Sequence, residues 1–308
     1  MRKSENYFES SNGINTVKYF VYESENVEPQ AVIQFVHGMA EHIERYDNFF
    51  EFLTEQGFIV YGDNHIGHKD SVLSDDDLGY FCESDGWKCL VKDEHRLTSI
   101  IKKEHPDKKL FIYGHSMGSF ITRAYITQYA DEVCGAVISG SAGKNPALGA
   151  GKKVTSLITK LKGKRHRSGL ITAMMFGSYN KRYKNVKSPY AWLTRDEKVV
   201  EEYEADKYSG FMFTTSAYMD LMNILDFVTE DAWYDKVPKS LPMLFIAGEM
   251  DPVGNWGQGY VEIDEKFSKR NMDDVTVRLY PEMRHELHNE IGKEKVWNDV
   301  TDWIKERN

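Results

Sequence analysis

The chain has 308 residues, 41% hydrophobic and 13% aromatic, with 39 Lys+Arg against 48 Asp+Glu for a formal net charge of −9. A chain of this length and apolar content buries a substantial core, which excludes disordered and fibrous classes, and its acidity argues against general nucleic-acid binding. Three cysteines, Cys82, Cys89 and Cys134, without Cys-x-x-Cys spacing, indicate reduced thiols rather than a disulfide framework or a thiolate zinc site.

The first ten residues carry a basic pair, Arg2 and Lys3, but no apolar signal core, and no apolar run approaches the roughly 20 residues of a membrane-spanning helix. A cytoplasmic location is expected. Residues 14–22 alternate as an amino-terminal antiparallel strand would. Short β-branched and aromatic runs at 31–36, 58–61, 110–113, 135–138, 243–247 and 275–280 fit buried strands. Between and after them, Ile43, Tyr46, Phe50 and Leu53 share a helical face, as do Met117, Phe120, Ile121, Ala124 and Tyr125, and Val296, Trp297, Val300, Trp303 and Ile304. Strands alternating with such helices predict an α/β fold, a mostly parallel sheet flanked by helices.

The alternation stops after Ser139 and resumes near Leu241, too long an interval for a crossover. It predicts an inserted helical cap over 141–228, with 1–140 and 229–308 forming the core. Val154, Leu157, Ile158 and Leu161, then Leu170, Ile171, Met174, Met175 and Phe176, have the spacing of a lid over an apolar pocket. Between Val133 and Arg195 stand 13 Lys+Arg and no Asp or Glu, so the insertion is basic on an acidic body. One reading is a solvated surface that pairs loosely with the core. The other is a cap that rides on anionic lipid surfaces.

Gly114-His115-Ser116-Met117-Gly118 directly follows one predicted strand and opens a helix. On such a turn the glycines permit a strained backbone and the serine oxygen is pushed clear of the sheet, as in a nucleophile elbow; the alternative is a glycine-rich turn with an N-capping serine. A serine hydroxyl needs a histidine base and a carboxylate that fixes the tautomer. In chain order, Asp251 follows the strand 243–247 and His285 follows 275–280. Glu249 is the minority candidate for the acid and His288 the reserve for the base. The two histidines lack the His-Glu-x-x-His spacing or carboxylate cluster of a metal site, so neither metal nor other cofactor is expected. The N–H of Met117 is one candidate oxyanion donor and that of Met39, in His37-Gly38-Met39-Ala40, the second, with His37 fixing the loop.

These stretches, with His37-Gly38-Met39-Ala40-Glu41-His42, Arg45-Tyr46, His65-Ile66-Gly67-His68, Gly248-x-x-Asp251 and His285-x-x-His288, resemble the monoacylglycerol lipase and lysophospholipase branch of the α/β-hydrolase superfamily. The resemblance implies Ser116, Asp251 and His285 as the triad, Met39 and Met117 as the oxyanion hole, and a small ester or lipid substrate. It also implies that Glu41, Arg45 and His288 line the glycerol end of the pocket; for Glu41 and Arg45 a surface i, i+4 pair is the alternative. Where the family usually continues His-x-Gly-His with Gly-x-Ser, this chain has Lys69-Asp70-Ser71, and the glycine's backbone freedom is lost. An aminopeptidase or amidase using the same triad, and a non-catalytic lipid carrier, are the competing functions.

Overall fold

A computed structural model describes all of residues 1–308. Eight strands, β1 (Arg2–Glu9), β2 (Thr16–Glu23), β3 (Ala31–Val36), β4 (Phe58–Asn64), β5 (Lys109–His115), β6 (Gly135–Ser139), β7 (Met243–Gly248) and β8 (Val275–Tyr280), form one sheet ordered β1-β2-β4-β3-β5-β6-β7-β8. The first two pairings are antiparallel and all the others parallel. Ten helices accompany them: α1 (Asp47–Glu55), α2 (Gly86–Glu104), α3 (Met117–Tyr129), α4 (Leu148–Lys162), α5 (Gly169–Phe176), α6 (Glu197–Ala205), α7 (Thr215–Thr229), α8 (Asp231–Tyr234), α9 (Gln258–Ser268) and α10 (Lys293–Lys305).

The central strands read as continuous apolar runs because both faces are covered. In β3, Ala31, Ile33 and Phe35 join the cluster under α1 and α10, while Val32 and Val36 join the larger one under α2, α3, α7 and α9. Gln34 shares that second face and is polar, and its side chain is bonded within the core. Strands β4 and β5 run beyond their expected ends, to Asn64 and His115, and so carry polar side chains to the carboxyl edge of the sheet. Strand β1 has no expected counterpart. It is a charged edge strand, mostly outside the core, whose register is set by its antiparallel pairing with β2. The stripe that starts at Ile43 begins as a 3₁₀ turn, Ile43–Tyr46, that runs into α1.

The insertion between β6 and β7 differs from expectation in its facing. Leu157 and Leu161 of α4 are 58% and 71% exposed, and Leu170 and Met174 of α5 are 60% and 45% exposed, so these four do not line an enclosed pocket. The buried face of α4 is Leu148, Gly151 and Thr155, whose small members let the helix approach Met222 of α7. Helix α7 in turn packs on α2 and α3. No helix is long and apolar enough to cross a membrane.

One side chain holds both junctions of the insertion. Arg123, on α3 and fully buried, donates to Ala142 O at 2.8 Å and Ser141 Oγ at 3.2 Å where the segment leaves the core, and to Val228 O where it returns. Its guanidinium stacks 4.3 Å over the ring of Trp233, whose indole N–H donates back to Arg123 O at 2.7 Å.

Candidate active site

Ser116 sits between β5 and α3 with φ 54° and ψ −120°, a left-handed conformation that costs a non-glycine residue roughly 1–3 kcal/mol. The flanking glycines make it attainable. A Cβ on Gly118 would stand 2.0 Å from Val36 O, so α3 reaches the end of β3 only without a side chain there. The backbone N–H of Ser116 donates to Ser139 O at 2.9 Å, which ties the turn to β6. An ideal Cβ on Gly38 would lie 3.0 Å from Ser116 Cβ, so the loop after β3 closes over the serine.

Asp251 and His285 come from the loops after β7 and β8 and are both buried. Asp251 Oδ2 lies 2.9 Å from His285 Nδ1, and Oδ1 accepts the N–H of Val253 at 2.8 Å. A carboxylate only accepts, so Nδ1 carries the proton and Nε2 of the neutral ring is bare. Nε2 has no protein partner. Burial disfavours the charged ring, but the charge and hydrogen bond of Asp251 outweigh it and hold the His285 pKa above its ordinary value. Glu249 is exposed and takes no part.

The insertion reaches this histidine. Trp192 packs tilted against the His285 ring at 4.9 Å, and Trp192 O and Leu193 O accept the N–H groups of His285 and Glu286. Tyr179 packs on Trp192 at 5.0 Å, and Phe176 lies beyond. Sequence reasoning passed over Trp192; an aromatic inside the basic run was its only local signal.

The loop from His37 to Ala40 is held almost atom by atom. Gly38 N–H donates to Glu41 Oε1 at 2.5 Å, Ala40 N–H to His68 Nε2 at 3.2 Å, and Ala40 O accepts from Gly210 N–H at 2.9 Å and Tyr203 OH at 3.0 Å. The N–H of Met39 takes part in none of these bonds. That of Met117, the first residue of α3, has no acceptor within the helix. Two amides without protein acceptors therefore belong to Met117, which follows Ser116, and to Met39, which follows the Gly38 that abuts Ser116.

Glu41 and Arg45 are not a surface pair. Glu41 is buried behind this loop and the Arg45 side chain is only 10% exposed there, where Arg45 bonds Glu41 and grips Glu286 through two bonds of 2.8 and 2.9 Å. Tyr46 OH donates to Glu41 Oε1 at 2.6 Å. Burial alone would raise both carboxyl pKa values. The bidentate guanidinium reverses this at Glu286, which is lowered, while Glu41 stays raised. His288 packs between Tyr46 at 4.3 Å and His115 at 4.7 Å, and burial pushes its pKa well below the usual imidazole value. At the departure from the family pattern, Lys69 itself takes φ 36°, the left-handed region a glycine would occupy, with Nζ bonded to Glu44 at 2.6 Å. The local turn survives the loss of the glycine.

A profile described as "Serine aminopeptidase, S33" matches residues 27–292. The chain belongs to that family. It is 26% identical over 302 residues to a monoacylglycerol lipase of Mycolicibacterium smegmatis, covering 98% of this chain and 97% of that one. It is 24% identical to a monoglyceride lipase of Mus musculus over 91% of this chain and 84% of that one. Among solved structures it resembles a thermostable carboxyl esterase from Bacillus coagulans in complex with glycerol, with TM-score 0.92, 27% identity and coverage of 99% and 98%. A monoglyceride lipase from Saccharomyces cerevisiae shares the fold at TM-score 0.78 and 18% identity, over 98% and 95% of the two chains. The fold is that of the α/β-hydrolases.

Proposed function

We propose that this protein is a carboxylic ester hydrolase of the monoacylglycerol lipase type, with Ser116 as nucleophile, His285 as base and Asp251 as its orienting acid. The observation that carries the reading is the 2.9 Å Asp251–His285 contact, which leaves Nε2 bare on a ring 4.7 Å from that of His115, the residue before the strained Ser116. In the reaction, Nε2 takes the hydroxyl proton as Ser116 Oγ bonds to the ester carbonyl carbon. The tetrahedral oxyanion accepts from the amides of Met39 and Met117, donors worth roughly 3 kcal/mol each in comparable sites. Collapse breaks the bond to the alcohol, which leaves with the proton from His285. Water then attacks the acyl-enzyme by the same proton path, releasing the acid and restoring Ser116.

The lipase and esterase relatives favour an ester over the amide that the family's description suggests, and monoacylglycerols and lysophospholipids lead the substrates. Glu41 and Arg45 bear on the glycerol end of the substrate through the loop they hold, since their polar atoms are engaged with Gly38, Tyr46 and Glu286. His288 packs behind His115 in the same wall. The division into a core of 1–140 and 229–308 and a cap of 141–228 follows the two junctions gripped by Arg123. Three unbridged cysteines accord with a cytoplasmic location.

A fluorophosphonate probe should add covalently to the peptide containing Ser116, seen as a mass shift that Ser116→Ala abolishes, and matched ester and amide substrates should show hydrolysis of the ester. Unlabelled Ser116, or ester hydrolysis unchanged in Ser116→Ala, would return the chain to a carrier role.

The exposed leucines define how the cap meets substrate. Parts of the basic run are paired within the protein, Lys152 with Asp226, Lys164 with Glu83 and Arg165 with Asp77. Lys153, Lys160 and Lys162 have no carboxylate partner and share α4 with Leu157 and Leu161. An apolar ridge beside free cations suits an anionic lipid surface, each cation contributing about 1 kcal/mol. Binding to vesicles containing anionic lipid is expected to weaken about tenfold in Leu157→Ser/Leu161→Ser, consistent with about 1.4 kcal/mol of lost apolar burial, and to weaken further at high salt. Binding indifferent to lipid charge and to both substitutions would remove the idea.

A further inference from the structure

Beneath the His37–Ala40 loop lies a buried polar cluster that the reaction above does not use. His65 Nδ1 is 3.1 Å from Asp63 Oδ1 and 3.4 Å from Glu94 Oε1, and all three residues are buried. Neither oxygen makes a hydrogen bond, so what each offers the His65 ring is a close polar contact. The second oxygen of Glu94 accepts from Gln34 Nε2 at 2.6 Å, and the same amide donates to Glu94 O at 2.9 Å. Thr98 Oγ1 donates to Gln34 Oε1 at 2.7 Å, which fixes the amide orientation.

Above the cluster the protons can be counted. His65 N–H donates to His37 Nε2 at 3.1 Å, and because a backbone amide only donates, that nitrogen is bare. The proton of the His37 ring is therefore on Nδ1, which donates to Gly38 O at 2.8 Å. Burial, then the neighbouring His65 and His68, push the His37 pKa well below its usual value and keep the ring neutral. His65 Nε2 faces His37 O at 3.1 Å and, since a carbonyl only accepts, donates to it. The two rings stack at 3.8 Å. Gly38 O and Met39 N–H belong to one planar peptide, so a bond that fixes the carbonyl fixes the direction of the N–H.

We infer that Asp63, Glu94 and His65 are positioning residues for the oxyanion hole. The acid pair holds the His65 ring, His65 holds the His37 backbone and ring, and His37 sets the plane of the Gly38–Met39 peptide. The inference rests on the proposed role of Met39 N–H. Burial, and then the charge of Asp63, raise the Glu94 carboxyl well above its ordinary value, so Glu94 is a proton donor in this cluster. The rival occupant is a divalent cation, since His65 Nδ1, Asp63 Oδ1 and Glu94 Oε1 lie within 4.8 Å of one another.

The test uses the full chain. Glu94→Leu is expected to lower kcat 10- to 100-fold with KM changed less than threefold, and to weaken a trifluoromethyl ketone, which forms an anionic tetrahedral adduct, by the same factor as kcat/KM. Glu94→Gln, which keeps a donor and an acceptor, should restore kcat to within threefold of wild type. Ketone affinity unchanged in Glu94→Leu, or Glu94→Gln as damaging as Glu94→Leu, overturns the inference. So does stoichiometric metal in the wild-type protein that Glu94→Gln loses. Should Glu94→Leu fail to fold, imidazole ¹⁵N shifts of the wild type decide. A neutral His37 with its proton on Nδ1, the minority tautomer in water, supports the device, and a proton on Nε2 overturns it. Absence of probe labelling at wild-type Ser116 overturns the hydrolase reading and appears before any Glu94 variant is made; labelling together with an unaffected Glu94→Leu overturns only the positioning.

Discussion

Asp251→Asn is expected to cost on the order of 10⁴-fold in kcat, the loss seen in serine proteases when the orienting acid becomes an amide and the histidine adopts the wrong tautomer. Asp251 Oδ2 is the only partner of His285 Nδ1, and the ring is buried, so no solvent replaces it. Steady-state hydrolysis of a soluble ester measures the loss, and a drop below tenfold would refute the assigned role. The pH dependence carries a second signature. Catalysis needs the neutral ring, and the folded His285 pKa is raised, so kcat/KM should climb with pH through a midpoint above about 6.5. The stability linked to the same group has the opposite sign. A raised folded pKa contributes stability that is fully present below the unfolded value and is lost as pH rises through the folded one. The enzyme thus works where this residue no longer helps to hold the fold, and a denaturation series across that window in wild type and Asp251→Asn would show the slope only in wild type.

The second large effect is on stability. Arg123→Met keeps much of the side chain's volume but removes the donors for Ala142 O, Ser141 Oγ and Val228 O, all deep in the core. Each buried acceptor left unpaired costs roughly 1–3 kcal/mol, so a loss of about 3–5 kcal/mol and a fall in Tm on the order of 10 °C are expected. Because the partners lie at both junctions of the insertion, limited proteolysis of the variant should cut first between residues 141 and 228. Calorimetry showing a fall below 2 °C would mean that the clamp is replaceable.

The parts legible in the sequence are those whose physics is local. Five of the six parallel strands announce themselves because burial on both faces demands unbroken apolar runs, as in Ala31–Val36; the edge strand β8 shows instead by its β-branched and aromatic residues. The turn at Ser116 is legible because close approach of backbone requires glycine at Gly114 and Gly118. Asp251 and His285 follow from chain order once the strands are placed.

What escaped is set by partners distant in the chain. Arg45 reads as half of an i, i+4 pair, yet it also grips Glu286, 241 residues away and next to His285, through two bonds. Leu157 and Leu161 had the spacing of an inward stripe, but Gly151 and Thr155, weak signals of burial, form the face that packs. Strand β1 offers mostly charge and exists through its pairing with β2. Asp63, Gln34 and Glu94 read as ordinary polar residues until β3, β4 and α2 bring them together.

The sheet order has a kinetic corollary. Strands β6 and β7 are neighbours, yet the chain between Ser139 and Met243 must close first, and the β7–β8 portion that carries Asp251 and His285 docks only across that gap. Closing so long a loop is entropically unrewarded until the ladder forms, and non-local pairing of this kind is slow. Every residue up to His285 must leave the ribosome before Ser116 can meet Asp251 and His285, so the nascent chain holds its serine apart from its proposed base until β7 and β8 have been made.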